Sequence, residues 1–220
     1  QIELRVAAIL SLDPYLTKVF KEGKDVHSAV ASRVFHVEED KVTPEMRRKA
    51  KVINFGIVYG MGVSALKETL GGTHAEAQDF YDGYMREFKR VAEYMEEVKM
   101  FARKNGYTET LFGRRRQFPG IKSSIPFIKA MAERMATNAP LQGTAADIIK
   151  IAIKLADDDI KKAGLEDKGH LLLQIHDELV YEVEEEVVEK AGKTIKNAME
   201  AVPERSFLKK KSVVPLVVNT

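Results

Sequence analysis

Helix signals fill roughly the first three-quarters of this chain and strand signals crowd into its end, an order that excludes an alternating α/β fold and points to α+β. An apolar stretch from Ile2 to Leu12 stops at Asp13-Pro14, and a helix restarts through Tyr15 to Glu22. Gly23 breaks it, and Asp25 caps another helix to about Phe35. Thr43-Pro44-Glu45 reads as N-cap, first helical position and acidic first turn of a helix reaching Gly60 or Gly62. After Gly71-Gly72, Thr73 opens one long charged amphipathic segment that ends near Asn105-Gly106. Tyr107 to Phe118 predicts a short surface strand or loop. A helix from Ile125 to Ala163 should bend at Pro140, whose ring removes a backbone hydrogen bond. Leu171 to Val183 predicts two strands with a tight turn around His176-Asp177. A charged helix, Glu184 to Val202, and a final apolar strand, Val213 to Val218, complete the pattern.

The 220 residues suffice for one substantial domain or two closely packed lobes. No run approaches eighteen apolar residues, so no membrane span is expected, and the start Gln1-Ile2-Glu3-Leu4-Arg5 lacks the pattern of a signal peptide. Without cysteine there are no disulfides and no thiolate metal site, which fits an intracellular protein. A formal net charge of +2 does not speak for nucleic acid, so the placement of the charges has to.

Three constellations carry chemistry. Arg47, Lys51, Phe55 and Tyr59 recur every four residues, so on a helix they form one slowly turning stripe, while Met46, Ile53 and Ile57 fall on a core-facing side. Two cations can neutralise a triphosphate and two rings can stack on a base or sugar; the bland alternative is a solvated charged face with two rings tucked into the core. Asp177-Glu178, at a turn behind the apolar strand Leu171-Leu172-Leu173, offers hard oxygen ligands suited to Mg²⁺, or simply makes a polar turn. Arg134, Asn138 and Gln142, again four apart, form a row of polar donors that either tracks a nucleic-acid groove or is an ordinary helix face. Arg114-Arg115-Arg116 is surface charge or a backbone-phosphate contact. His27 alone reads as a capping or structural histidine.

Taken together and in order, these segments match one family. Arg47-Arg48-Lys49-Ala50-Lys51-Val52-Ile53-Asn54-Phe55-Gly56-Ile57-Val58-Tyr59-Gly60 resembles motif B of polymerase I-type (family A) DNA polymerases, and Gln174-Ile175-His176-Asp177-Glu178 resembles their motif C. Gln1-Ile2-Glu3-Leu4-Arg5 is similar to the tail of motif A. Thr110-Leu111-Phe112-Gly113-Arg114-Arg115-Arg116 and the run from Asn138 to Asp147 are similarly close to the family pattern, so the resemblance covers essentially the whole chain.

The resemblance implies a right-hand polymerase fold, with residues 13–124 as helical fingers and residues 1–12 and 125–220 as part of an antiparallel-sheet palm. It implies attack of a primer 3′-hydroxyl on a dNTP with release of pyrophosphate, served by two Mg²⁺ ions, in DNA replication or repair. Asp177 takes the position of a metal-binding aspartate, with Glu178 beside it and His176 near the primer terminus. Arg47 and Lys51 become triphosphate ligands assisted by His27, and Lys51 a general acid toward pyrophosphate. Gln1 joins the nucleotide-binding set, and Glu3 is a gate against the ribose 2′-hydroxyl that hydrogen-bonds Tyr59. Phe55 stacks on sugar and base and implies discrimination against dideoxynucleotides, while Tyr59 stacks by the template. Arg114, Arg134, Asn138, Gln142 and His176 become primer–template contacts that read shape shared by all base pairs.

Two departures stand out. The family reads Asp-Tyr-Ser just before the Gln1 segment, and a Trp-containing tail beyond the other end; neither is in this sequence. The expectation is therefore a fragment or subunit, inactive alone, whose partner is an N-terminal polymerase portion supplying the first Asp and the thumb. The alternative is a catalytically silent nucleic-acid- or nucleotide-binding module.

Overall fold

The computed structural model describes residues 2–206 and 212–219. Helix α1 (Ile2–Ser11) buries Leu4, Val6, Ala7 and Ala8 and packs on several neighbours at once. It stops at Leu12, whose φ is +57°, and Asp13 starts α2 (Pro14–Lys21) by accepting from the Tyr15 and Leu16 amides at 3.1 and 3.0 Å. Asp25 caps α3 (Val26–Phe35), and Thr43 caps α4 (Pro44–Val58), as their side-chain chemistry dictates. Gly60, at φ +75°, then ends the helical path, and a helix with no expectation from the sequence, α5 (Val63–Leu70), follows Gly62.

The segment from Thr73 to Asn105 is two helices rather than one, α6 (His74–Glu87) and α7 (Lys89–Asn105). A reciprocal capping box between Thr73 and Glu76 opens α6. The break falls at Phe88, which is fully buried with its ring centroid 4.6 Å from that of Tyr84 and 5.9 Å from that of Tyr15. Burial of that ring outweighs the continuous helical pattern of the sequence.

The Tyr107–Phe118 segment is an antiparallel hairpin, β1 (Tyr107–Glu109) and β2 (Arg115–Gln117), with Glu109 opposite Arg115. Helix α8 (Pro126–Lys162) runs through Pro140 without being divided by it. Strands β3 (Gly169–Ile175) and β4 (Glu178–Val183) pair antiparallel, with an irregularity between Leu171 and Leu173. The charged helix after them starts later than its composition suggests: Glu185–Val187 is a 3₁₀ turn, then come α9 (Val188–Glu200) and the short α10 (Val202–Arg205).

The strand expected over Val213–Val218 is not formed. Val214 and Leu216 are buried between exposed Val213, Pro215 and Val217, so the alternation is real, but it seats an extended segment on the core without a ladder. The backbone there bonds to side chains instead: the Pro215 carbonyl accepts from Arg5 at 2.6 Å, and the Val218 amide donates to Glu200 at 2.9 Å. Hydrophobic alternation signals one buried face and does not by itself supply a pairing edge.

One core joins α1 through α6 to α7, α8 and α9; a smaller cluster of Ala102, Phe118, Ile121, Ala132, Ala136 and Ala139 lies beneath the hairpin. By contrast β3 is exposed beyond Gly169, with Leu172 at 56% and Ile175 at 49%. Among the described residues, no helix is long and apolar enough to cross a membrane.

Two polar junctions lock this arrangement. The hairpin is tied to α8 where Thr144 accepts from the Leu111 amide at 2.9 Å and Arg114 reaches Asp147 at 2.7 Å and the Gly143 carbonyl at 3.0 Å. A Cβ at Gly143 would sit 2.5 Å from the Thr110 methyl, so a side chain there must lift the hairpin. Gly143→Ala should therefore destabilise the protein despite the roughly 1 kcal/mol that alanine gains in a helix, because overpacking costs about 1–3 kcal/mol. An unchanged or raised melting temperature would refute the tight seat.

Asp25 makes the second junction, accepting from Arg47 Nε at 3.1 Å and Nη2 at 2.8 Å while capping α3. Those bonds from Arg47 hold the Asp25 carboxyl at about 2, below its ordinary 3.8. A depressed carboxylate stabilises the fold above its unfolded pKa and ceases to as pH falls through the folded one. Asp25→Asn keeps a good cap, so its deficit isolates the ion pair: at most about 1 kcal/mol for such an exposed pair. That deficit should be present at neutral pH and fade between about pH 4 and pH 2 in denaturation curves. A gap that stays constant across that range would contradict the assignment.

Candidate nucleotide and nucleic-acid site

Helix α4 is two-sided. Ala50, Ile53 and Ile57 are fully buried, whereas Arg47 and Lys51 are exposed and Phe55 and Tyr59 are half-buried. The stripe read from the four-residue spacing therefore faces outward. Its rings stand in sequence: His27 of α3 is 5.8 Å from Phe55, and Phe55 is 6.2 Å from Tyr59 with only 26° between their planes. A groove of about 700 Å³ is lined by Lys51, Phe55 and Tyr59, with Arg48 and Met61 beside them and Arg134 of α8 across from them.

Tyr59 is where separate elements meet. Its hydroxyl donates to the Glu3 carboxylate of α1, and its carbonyl accepts from the Asn138 amide of α8 at 2.9 Å. The Asn138 Oδ1 is buried without a partner among the described residues. Burial pushes the Glu3 carboxyl upward, and the charge of Asp177 pushes it the same way. Residues near positions 3, 59, 138 and 177 of the chain are thus gathered into one region.

Asp177 and Glu178 are exposed at the β3–β4 turn, where His176 adopts φ +54° and its carbonyl accepts from Gln174 at 2.9 Å. Both carboxylates border a cavity of about 630 Å³ that extends to Arg5, Tyr181 and Met199. In kind, these oxygens fit a hard divalent cation. In number, they fall short of a full ligand set, since no group of three or more His, Cys, Asp or Glu is poised for a metal among the described residues.

The cations differ in freedom. Arg47 is engaged by Asp25, and Arg114 is spent on Asp147 and Gly143, so its guanidinium locks the hairpin. Arg115 pairs with Glu109 and lies 4.6 Å over the Tyr107 ring, and Arg116 lies over Phe118 at 5.5 Å. The polar row of α8 divides three ways: Arg134 lines the large groove, Asn138 holds Tyr59, and Gln142 is exposed at a small notch beside Arg114 and Arg116. Gln1 lies outside the described residues.

Reading the sequence alone missed Asp25 as the partner of Arg47, Asp147 as the partner of Arg114, and Asn54. The first two pairs are separated by 22 and 33 residues and leave no periodic trace. Asn54 did leave one: it is a polar residue among Ala50, Ile53 and Ile57 on the buried face of a helix.

The model of DNA polymerase family A matches residues 1–220. DNA polymerase I of Rhizobium leguminosarum is 46% identical over 200 residues, covering 91% of this chain and 20% of that protein. The enzyme of Streptococcus pneumoniae R6 is 44% identical over all 220 residues, 24% of its length, and the thermostable enzyme of Thermus aquaticus is 44% identical over 202 residues, 92% of this chain and 24% of that one. The POL domain of Pol1 from M. smegmatis, solved in complex with DNA primer-template and dNTP, superposes with a TM-score of 0.90 at 42% identity, covering 98% of this chain and 36% of that one. The chain spans about a fifth to a quarter of the length of these curated relatives. With α+β architecture and sequence in agreement along its length, this chain belongs to DNA polymerase family A.

Proposed function

We propose that the chain carries the nucleotide-selecting part, and one side of the metal site, of a DNA-directed DNA polymerase that extends a primer 3′-hydroxyl from dNTPs and releases pyrophosphate. The junction at Tyr59 carries this reading: one side chain ties the outward stripe of α4 to Glu3 and to Asn138, within the electrostatic reach of Asp177. Residues 13–124 act as fingers, and residues 1–12 and 125–220 as palm.

In this reading Lys51 and Arg47 neutralise the triphosphate, Arg47 exchanging its Asp25 partner for phosphate oxygens of like charge and geometry. Lys51 then stands where a proton can be given to departing pyrophosphate. Phe55 offers its face to sugar and base. Glu3, held in place by the Tyr59 hydroxyl, fills the space a ribose 2′-hydroxyl would need, so a deoxyribose is preferred. Arg134 and Gln142 face outward from α8, where a primer–template duplex would pass, and His176 is carried on the turn beside Asp177. Asp177, with Glu178 adjacent, would hold Mg²⁺, and an N-terminal polymerase portion would supply the remaining carboxylate and the thumb. When bound, such ions lower the cost of charge at phosphorus and of the attacking hydroxyl.

Within the full polymerase, Asp177→Ala should cut Mg²⁺-dependent primer extension by more than about 100-fold, since even indirect partners of a metal cost 10- to 100-fold. Retained extension would end the metal assignment; no extension from the unsubstituted polymerase, with dNTP still bound, would favour a silent nucleotide-binding module. Phe55→Tyr should raise incorporation of dideoxynucleotides relative to dNTPs, because the added hydroxyl can stand in for the missing 3′ group. An unaltered ratio would remove Phe55 from the sugar.

A further inference from the structure

Asn54 interrupts the apolar face of α4 and is fully buried. Its amide nitrogen lies 3.3 Å from Nδ1 of His27, and its Oδ1 is buried with no hydrogen-bond partner among the described residues. Leaving a buried acceptor unmet costs about 1–3 kcal/mol, so its retention needs a reason. The imidazole supplies one. An amide N–H can bond to Nδ1 only when that nitrogen carries a lone pair, which puts the single ring proton of a neutral histidine on Nε2. Turned over, the amide would offer Oδ1 to Nδ1 and draw the proton there; Nε2 would then be an acceptor, which phosphate oxygens repel. A doubly protonated ring would set N–H against N–H.

We propose that Asn54 is a positioning residue that holds His27 as the neutral Nε2–H tautomer, so that the imidazole donates one uncharged hydrogen bond to the phosphates of an incoming nucleoside triphosphate. The phosphate half of this statement rests on the nucleotide reading of α4 given above. The ring itself is buried, at 4% exposure, beside Phe55. Burial presses the His27 pKa downward; the charge of Asp25 opposes it, and the charges of Arg47 and Lys51 press it further down. Asp25, however, is committed to Arg47 through two hydrogen bonds. Arg47 and Lys51 thus bring the positive charge to the phosphates, and His27 brings direction.

The test is the ring-nitrogen NMR spectrum of the intact protein labelled with ¹⁵N-histidine, at neutral pH, with and without dTTP. The expected spectrum has Nδ1 of His27 unprotonated and Nε2 protonated, with Nε2 responding to dTTP. The nearly isosteric Asn54→Asp presents a carboxylate that demands a proton on Nδ1, so the Nδ1 signal should become that of a protonated nitrogen. Asn54→Leu should leave mixed tautomers and weaken dTTP binding by about 3- to 10-fold, the worth of one hydrogen bond. That loss should disappear in a His27→Gln background, where an amide donates near the Nε2 position without help from Asn54. If Asn54→Leu fails to fold, the Asn54→Asp spectrum still decides the pairing. A protonated Nδ1 in the unsubstituted protein, or an equal loss of affinity in both backgrounds, overturns the proposal. If instead the Nε2–H tautomer is found but neither dTTP nor His27→Ala reveals any contact, the phosphate role falls with the nucleotide reading and the Asn54–His27 pairing stands.

Discussion

The helical part of the candidate site depends on α4 being buried along one face and free along the other. Ala50, Ile53 and Ile57 are fully buried against the neighbouring helices, each side chain worth roughly 1–3 kcal/mol in burial according to its size. That burial fixes the rotation of the helix about its axis. Once the rotation is fixed, Arg47, Lys51, Phe55 and Tyr59 have no choice but to face outward in a row. The same packing brings α3 alongside, and with it both His27, beside Phe55, and Asp25, against Arg47. A helix rotated by even one residue would turn Asn54 out to solvent and Phe55 into the core.

The distribution of charge follows a second rule. The formal net charge is only +2, with 35 Lys and Arg against 33 Asp and Glu, so charge has to be read from which cations are paired with a carboxylate and which are not. Several of the arginines that a basic patch would need are already committed: Arg103 to Glu133, Arg114 to Asp147, Arg115 to Glu109. Their guanidinium ends are largely exposed while the Glu133 and Asp147 side chains are largely buried, so these pairs hold elements together and also decide which cations remain unpaired. Lys51 has no ion pair among the described residues and lines the open groove, whereas Arg47 is held by Asp25. Selectivity for where an anion binds thus comes from pairing as much as from counting charges.

What could be read from the sequence divides along the same line. Caps and periodicities are local, so Asp25, Thr43-Pro44 and Thr73 marked helix starts correctly, and the outward stripe of α4 was visible in its spacing. Events decided by tertiary packing were not visible. The break at Phe88 exists because its ring is buried, and Val213–Val218 alternates to seat Val214 and Leu216 rather than to pair. The candidate site shows the same split: its motif residues were identifiable, whereas the Asp25 grip on Arg47 and the Asp147 grip on Arg114 required the fold to bring distant residues together.

The two ends of the candidate site are packed differently, and that difference has a structural cause. Glu3, His27, Phe55, Tyr59 and Asn138 sit on helices locked into one core, with hydrogen bonds crossing between them. Asp177 sits on the tip of a two-stranded ribbon whose β4 leans on that core through Leu179, Tyr181 and Val183, while β3 stays exposed beyond Gly169. Two-stranded ribbons are marginal alone, and exposed apolar residues such as Leu172 and Ile175 mark a surface that gains from being covered. A functional constellation has to be held to within about 0.5 Å, a demand the helical end meets from its own packing. The helical end of the candidate site is therefore organised by this chain's own core, whereas the Asp177–Glu178 turn is tied to that core only through β4.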